Sequence, residues 1–198
     1  VEPQSTSKPN QDWYHVFAAH GIDDSYFEKW IANYEITTDA QKEAVNAQIM
    51  PCVGTSRPMV FIGLFGGGKT HIANAIVKNA LMSRRSAYYY TMASMFRAYR
   101  TSLRDDDFPE KKFFERIFGC DVLAIDEMNV RSNSDAENRI IQEVVDKRYA
   151  RRKQTIFIAN MEFDEFSEML GERLIDRLKE QEAAIVTFDW ESYRGKTS

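Results

Sequence analysis

The residues from Gly63 to Thr70, reading Gly-Leu-Phe-Gly-Gly-Gly-Lys-Thr, have the spacing of a phosphate-binding loop. Glycines at these intervals let the backbone turn tightly, so that successive N–H groups point inward at phosphate oxygens. Lys69 then reaches the β- and γ-phosphates, and the Thr70 hydroxyl ligates Mg²⁺. The apolar run 59–62 before the loop and the helix-forming stretch 71–77 after it supply the strand and helix the motif requires. The helix N-terminus adds the positive end of its dipole. Gly63, Phe65, Gly66, Gly67, Gly68, Lys69, Thr70 and His71 are therefore candidate contacts for ATP or ADP.

Mg²⁺ keeps several waters and takes only one or two protein carboxylates, so a second acidic element has to face the loop. Val122-Leu123-Ala124-Ile125-Asp126-Glu127 supplies it, four apolar residues followed by two acids at a strand end. Asp126 is the candidate Mg²⁺ partner, and Glu127 the candidate base that polarises an attacking water, which implies hydrolysis. Asn160 ends another apolar strand; it either orients that water or contacts the γ-phosphate, or it is ordinary turn chemistry. Arg173 and Arg177 lie four apart, hence on one helix face. One reading pairs them with Glu172, Asp176 or Glu180 on a solvated surface. The other makes one of them an arginine finger that stabilises transition-state charge.

Holding these groups takes an alternating strand and helix pattern, and the sequence has one. Apolar strands are expected at 59–62, 87–91, 121–125, 155–159 and 184–188, with helices at 69–83, 93–104, 111–118, 135–153 and 164–180. The alternation predicts an α/β fold with a mainly parallel sheet and sites at the carboxyl ends of its strands. Upstream, Thr38 reads as the N-cap of a helix that Pro51 ends, and aromatics in 12–17 and 26–31 recur at helical spacing as packing elements. Residues 1–10 are rich in Ser, Pro and Gln, a composition that predicts disorder. We divide the chain at 36/37, into a linker with a short helical segment and an ATPase domain.

The 198 residues carry a net charge of −4, so any nucleic-acid contact must come from a local basic patch. Arg84-Arg85, the set Arg97, Arg100 and Arg104, and the run from Lys147 through Arg148 to Arg151-Arg152-Lys153 are the candidates. Arg97, Arg100 and Arg104 recur at helical spacing beside Tyr99, as on a face that tracks a phosphate backbone; a solvated face is the alternative for this set and for the other two clusters. Cys52 and Cys120 lack metal-site spacing and read as buried thiols of a cytoplasmic protein. No apolar run is long enough to span a membrane.

Taken together, GLFGGGKTH, VLAIDEM, IANM, MLGERLIDRL and FDWESYR resemble the AAA+ ATPases of the DnaC/DnaI helicase-loader group, over about residues 35–194. The resemblance implies an ASCE P-loop sheet ordered 5-1-4-3-2 and flanked by helices. It implies that Asn160 is sensor 1, Arg177 the arginine finger with Arg173 close by, and Arg194 the sensor 2 counterpart. Residues 91–118 fall where initiators and loaders carry an extra helix that contacts single-stranded DNA. The implied partners are a replicative DnaB-type helicase, single-stranded DNA and further copies of the chain, with ATP/ADP and Mg²⁺ as cofactors. About ten residues follow strand five, too few for a full helical lid. The short N-terminal part and the first residue, Val1, suggest a fragment or a phage-type variant with a short docking element. An IstB-like transposition helper ATPase shares most of these motifs, and a non-hydrolysing nucleotide-gated adaptor is a third reading.

Overall fold

The computed structural model describes residues 12–130 and 135–192. The apolar runs form β1 (Met59–Gly63), β2 (Ala87–Thr91), β3 (Val122–Asp126), β4 (Gln154–Ile158) and β5 (Ala184–Phe188). All neighbours pair in parallel, and the order β2-β3-β4-β1-β5 is the expected one viewed from the other edge. Strands covered on both faces must be apolar on both. Accordingly β1, β3 and β4 are buried at every residue, whereas the edge strand β5 alternates buried and exposed.

Helices cover both faces. On one side α3 (Lys69–Met82) packs Ile72 and Ile76 against Phe61 and Val186. On the other lie α4 (Met92–Ser102), α5 (Glu110–Gly119) and α6 (Asp135–Ala150), with Met95, Ile117 and Val144 packed against Val60 and Leu123. The helix expected at 164–180 is two: α7 (Phe163–Leu170) and α8 (Glu172–Glu180). They divide at Gly171, whose φ of 83° and ψ of 153° break the helix. A residue without Cβ takes that backbone at little cost.

The N-terminal residues join the same core. After α1 (Asp12–Ala19), Phe17, Ile22 and Tyr34 are buried in the cluster that covers α3. The aromatics of 26–31 do not form the helix their spacing suggested; short 3-10 turns at Asp24–Tyr26 and Ile31–Asn33 replace it. Asp23 caps the first by accepting the Ser25 N–H at 3.0 Å. Lys78 of α3 explains how this segment is held. Its buried ammonium donates to the carbonyls of Tyr26, Phe27 and Lys29 at 2.5–2.8 Å and lies 3.9 Å from the Trp30 ring centroid. Farther on, α2 (Asp39–Glu43) begins at the expected cap, with Thr38 Oγ1 accepting from Gln41 N, and continues through π-helical Ala44–Ile49 to Cys52.

One residue of the basic run departs from both sequence readings. Arg148 neither faces solvent nor offers itself to DNA: it is fully buried, donating to the carbonyls of Ile117 (2.7 Å), Cys120 (3.0 Å) and Gln154 and to Thr155 Oγ1 (2.9 Å). It joins the end of α5 to the start of β4 across the bottom of the sheet. Cys52 and Cys120 are buried free thiols. No described helix is long and apolar enough to cross a membrane. The stretch 1–10 and Arg194 lie outside the described residues.

Candidate nucleotide-binding site

The loop from Gly63 to Lys69 leaves β1 at its carboxyl end and enters α3. Because β3 and β1 both flank β4, the end of β3 opens onto the same edge of the sheet. Thr70 Oγ1 donates to Asp126 Oδ2 at 2.7 Å, which joins the two sequence motifs directly. That proton leaves the threonine lone pairs turned away from the carboxylate and open to a hard cation, the donor chemistry Mg²⁺ requires. Asp126 is 3% exposed and heavily fixed. Tyr89 Oη also donates to its Oδ2 at 2.7 Å, and the Glu127 N–H donates to its Oδ1 at 2.6 Å. Burial, and next the charge of Asp126, push the Tyr89 phenol well above its ordinary range, so it stays a donor.

Lys69 is 4% exposed, and its ammonium donates to the Gly63 and Leu64 carbonyls at 2.8 and 2.5 Å. Burial lowers its pKa to about 8, against the opposing pull of Asp126. Glu127 is exposed just past the strand tip, with φ of 56°. A non-glycine residue there is strained by about 1 kcal/mol or more, and such strain concentrates at functional sites. Asn160 follows β4 between the two motifs: Gly63 N donates to Met161 O at 3.0 Å and Met128 N to Ile158 O at 3.0 Å. Its own N–H donates to Asn129 Oδ1 at 3.3 Å. Loop, acid pair and asparagine thus share one rim.

The other candidates divide. Gly66, Gly67 and Gly68 form the loop, and Phe65 stands 63% exposed at its tip. The His71 ring turns to the Trp30 carbonyl, 2.8 Å from Nε2, and burial lowers its pKa. Arg173 and Arg177 do not pair with the acids of their own helix; both reach Asp146 on α6, Arg173 at 2.9 Å and Arg177 in closer contact. Arg177 also lies over the Tyr149 ring, and its side chain is 21% exposed against 74% for Arg173. Arg97, Arg100 and Arg104 are all exposed along and just past α4. Tyr99 does not share their face: it packs on Phe113 and Phe114 of α5 and donates to Glu110.

Two contacts at the loop were not legible in the motifs. Tyr34 Oη donates to the Gly67 carbonyl at 2.7 Å, and Trp190 Nε1 donates to the same carbonyl at 3.0 Å. Tyr89 was hidden in Tyr88-Tyr89-Tyr90, where only strand alternation separates the residue that turns to Asp126 from its neighbours.

A phosphate loop opposite a fixed strand-end carboxylate, on a parallel sheet of this order, defines an ATP-binding protein of AAA+ architecture. The chain belongs to the IstB-like ATP-binding protein family, whose model matches residues 25–198. It is 29% identical to the replicative helicase loader DnaC of Escherichia coli K12, across 84% of this chain and 69% of that one. The crystal structure of the DnaC helicase loader superposes with a TM-score of 0.70 at 21% identity, covering 83% of this chain and 99% of that one. A replication initiator DnaA bound to AMPPCP and single-stranded DNA gives 0.65 at 17% identity. This chain covers 85% of its own length in that match and spans about half, 51%, of the initiator.

Proposed function

We propose that this chain is an ATPase that loads a replicative, DnaB-type DNA helicase, and that its ATP state governs self-assembly, single-stranded DNA contact and helicase release in the cytoplasm. The observation that carries the reading is the Thr70–Asp126 hydrogen bond, which joins the phosphate loop to the strand-end acid in a chain similar to a helicase loader along most of its length. Bound Mg²⁺ would supply charge neutralisation for the β- and γ-phosphates. Thr70 and Asp126 would hold it, and Lys69 would exchange its loop carbonyls for phosphate oxygens. Glu127 takes the proton of the attacking water, and Asn160, on the same rim, orients that water. Arg177 stabilises the charge that develops on a neighbouring subunit's nucleotide, with Arg173 beside it; Arg194 is the proposed sensor 2. Arg97, Arg100 and Arg104 contact the DNA backbone.

Pull-down of a DnaB-type helicase by the chain, with ATP or ADP and with the Lys69→Ala variant, tests the proposal. Nucleotide-dependent capture that Lys69→Ala loses is the expected result; no capture in any nucleotide state would overturn it. The family match favours one second reading, a transposition helper of the IstB kind. Preference for duplex over single-stranded DNA would select that reading.

A further inference from the structure

We infer that Tyr34 and Trp190 are positioning residues for phosphate binding: by holding the Gly67 carbonyl outward, they keep the N–H of the same peptide, on Gly68, turned into the loop. The inference rests on residues 63–70 being a nucleoside triphosphate site. In a trans peptide the C=O and the following N–H point in opposite directions, so fixing one fixes the other. The described residues contain no cis peptide bond. Gly66–Gly67 and Gly67–Gly68 are the two peptides in the loop with least steric resistance to rotating over, because none of their residues carries a Cβ. Two donors on one carbonyl, Tyr34 Oη at 2.7 Å and Trp190 Nε1 at 3.0 Å, use both its lone pairs and oppose that rotation. Trp190 Nε1 also lies 3.1 Å from Tyr34 Oη, so the pair braces itself.

Both donors have rigid supports. Tyr34 stands edge-on to the His71 ring at 5.4 Å, and His71 in turn bonds Trp30 of the segment that Lys78 holds. The Trp190 ring packs 4.8 Å from Phe188 at the end of β5. Gly68 has φ of 93°, and a Cβ there would sit 2.4 Å from Tyr34 Cε2, so ring and loop are in direct contact. Phosphate affinity is thus set partly outside the motif, by one residue before the sheet and one after it.

The test uses Tyr34→Phe, Trp190→Phe and the double variant in the full chain, with calorimetric affinities for ATP and inorganic tripolyphosphate and the melting temperature without ligand. Each substitution removes a donor and keeps a ring. One hydrogen bond is worth about three- to tenfold in affinity, so each single variant should bind both ligands about three- to tenfold more weakly. The double variant should lose less than the product, since the two donors share an acceptor. Because the same hydrogen bonds are made without ligand, Tm should fall by about a few degrees and no more. Wild-type tripolyphosphate affinity in the double variant would overturn the inference while leaving the phosphate loop intact, provided Lys69→Ala still abolishes binding. A fall in Tm of about ten degrees or more in a single variant would assign the pair to fold stability and also overturn it. If the wild-type chain bound neither ligand, the nucleotide site itself would fail, and the inference with it.

Discussion

Asp126 and Glu127 are adjacent acids with opposite surroundings, and the contrast suits the different roles proposed for them. Asp126 is buried and accepts hydrogen bonds from Thr70, Tyr89 and the backbone, so it is held in one orientation. Glu127 is exposed and strained, with φ of 56°. Glu127→Gln should bind ATP normally and hydrolyse it at least about a hundredfold more slowly, because an amide cannot take a proton. Normal turnover would move the base elsewhere. Glu127→Gly should be as inactive yet more stable by about 1 kcal/mol, since glycine removes the backbone strain; a chemical-denaturation midpoint no higher than wild type would count against stored strain. Lys69→Ala should abolish tight nucleotide binding, as titration calorimetry would show, and unchanged affinity would reject the loop assignment.

Among the elements, those fixed by local pattern were legible in advance and those fixed by tertiary contact were not. β2 and β5 run over the expected residues because the aromatic run Tyr88 to Tyr90 and the β-branched run Ile185 to Thr187 favour strand. Thr38 begins its helix where the capping box is written. Gly171 was missed because a single glycine inside an amphipathic pattern reads equally well as a tolerated helix residue. Tyr34 and Trp190 were beyond local reading, for their shared acceptor lies 33 and 123 positions away. Arg148 was misplaced because neighbouring lysine and arginines make a charge run look solvated, while its acceptors come from two other segments, the end of α5 and the start of β4. Arg148→Met, which keeps volume and removes the donors, should cost about 3 kcal/mol or more by leaving buried carbonyls unpaired; a loss below 1 kcal/mol in urea unfolding would refute that role. At the same end of the sheet, the Lys153 ammonium and then Ser86 hold Asp121 down to about 2, from an ordinary 3.8. A lowered folded-state pKa gives stability that is present above pH 3.8 and lost as pH falls towards 2. Asp121→Asn should therefore flatten the fall of Tm across that window, and an unchanged acid limb would show that the interaction contributes nothing.

For the whole molecule, a net charge of −4 means that the proposed DNA contact has to be a property of one face. If Arg97, Arg100 and Arg104 serve that face, replacing them with Ala should weaken single-stranded DNA binding and lower the log–log salt slope by about 0.7 for each lost contact. Retained affinity and slope, in a variant that still binds ATP, would dismiss the face. The Asp146 carboxylate holds both Arg173 and Arg177 inside their own subunit. On the proposal that Arg177 serves a neighbour, assembly exchanges one ion pair for another, and an isolated subunit hydrolyses ATP slowly. A finger is worth about 10³ to 10⁵ in rate, so activity should rise faster than linearly with protein concentration. Asp146→Asn should lower the concentration at which the rise begins. Mixing Arg177→Ala with Lys69→Ala should restore some turnover, and no recovery at any ratio would reject action in trans.

Tyr89 N donates to the His20 carbonyl at 2.9 Å, so the segment that bears Tyr34 also occupies the open edge of β2. An edge strand without such cover is a template for pairing with another chain. Cleaving the protein before residue 37 would thus release more than a leader. It would take Tyr34 from the loop and Phe17 from the core, and would bare a tyrosine-rich strand to its neighbours. What remains should aggregate more readily than the whole chain, because its edge would lack that cover.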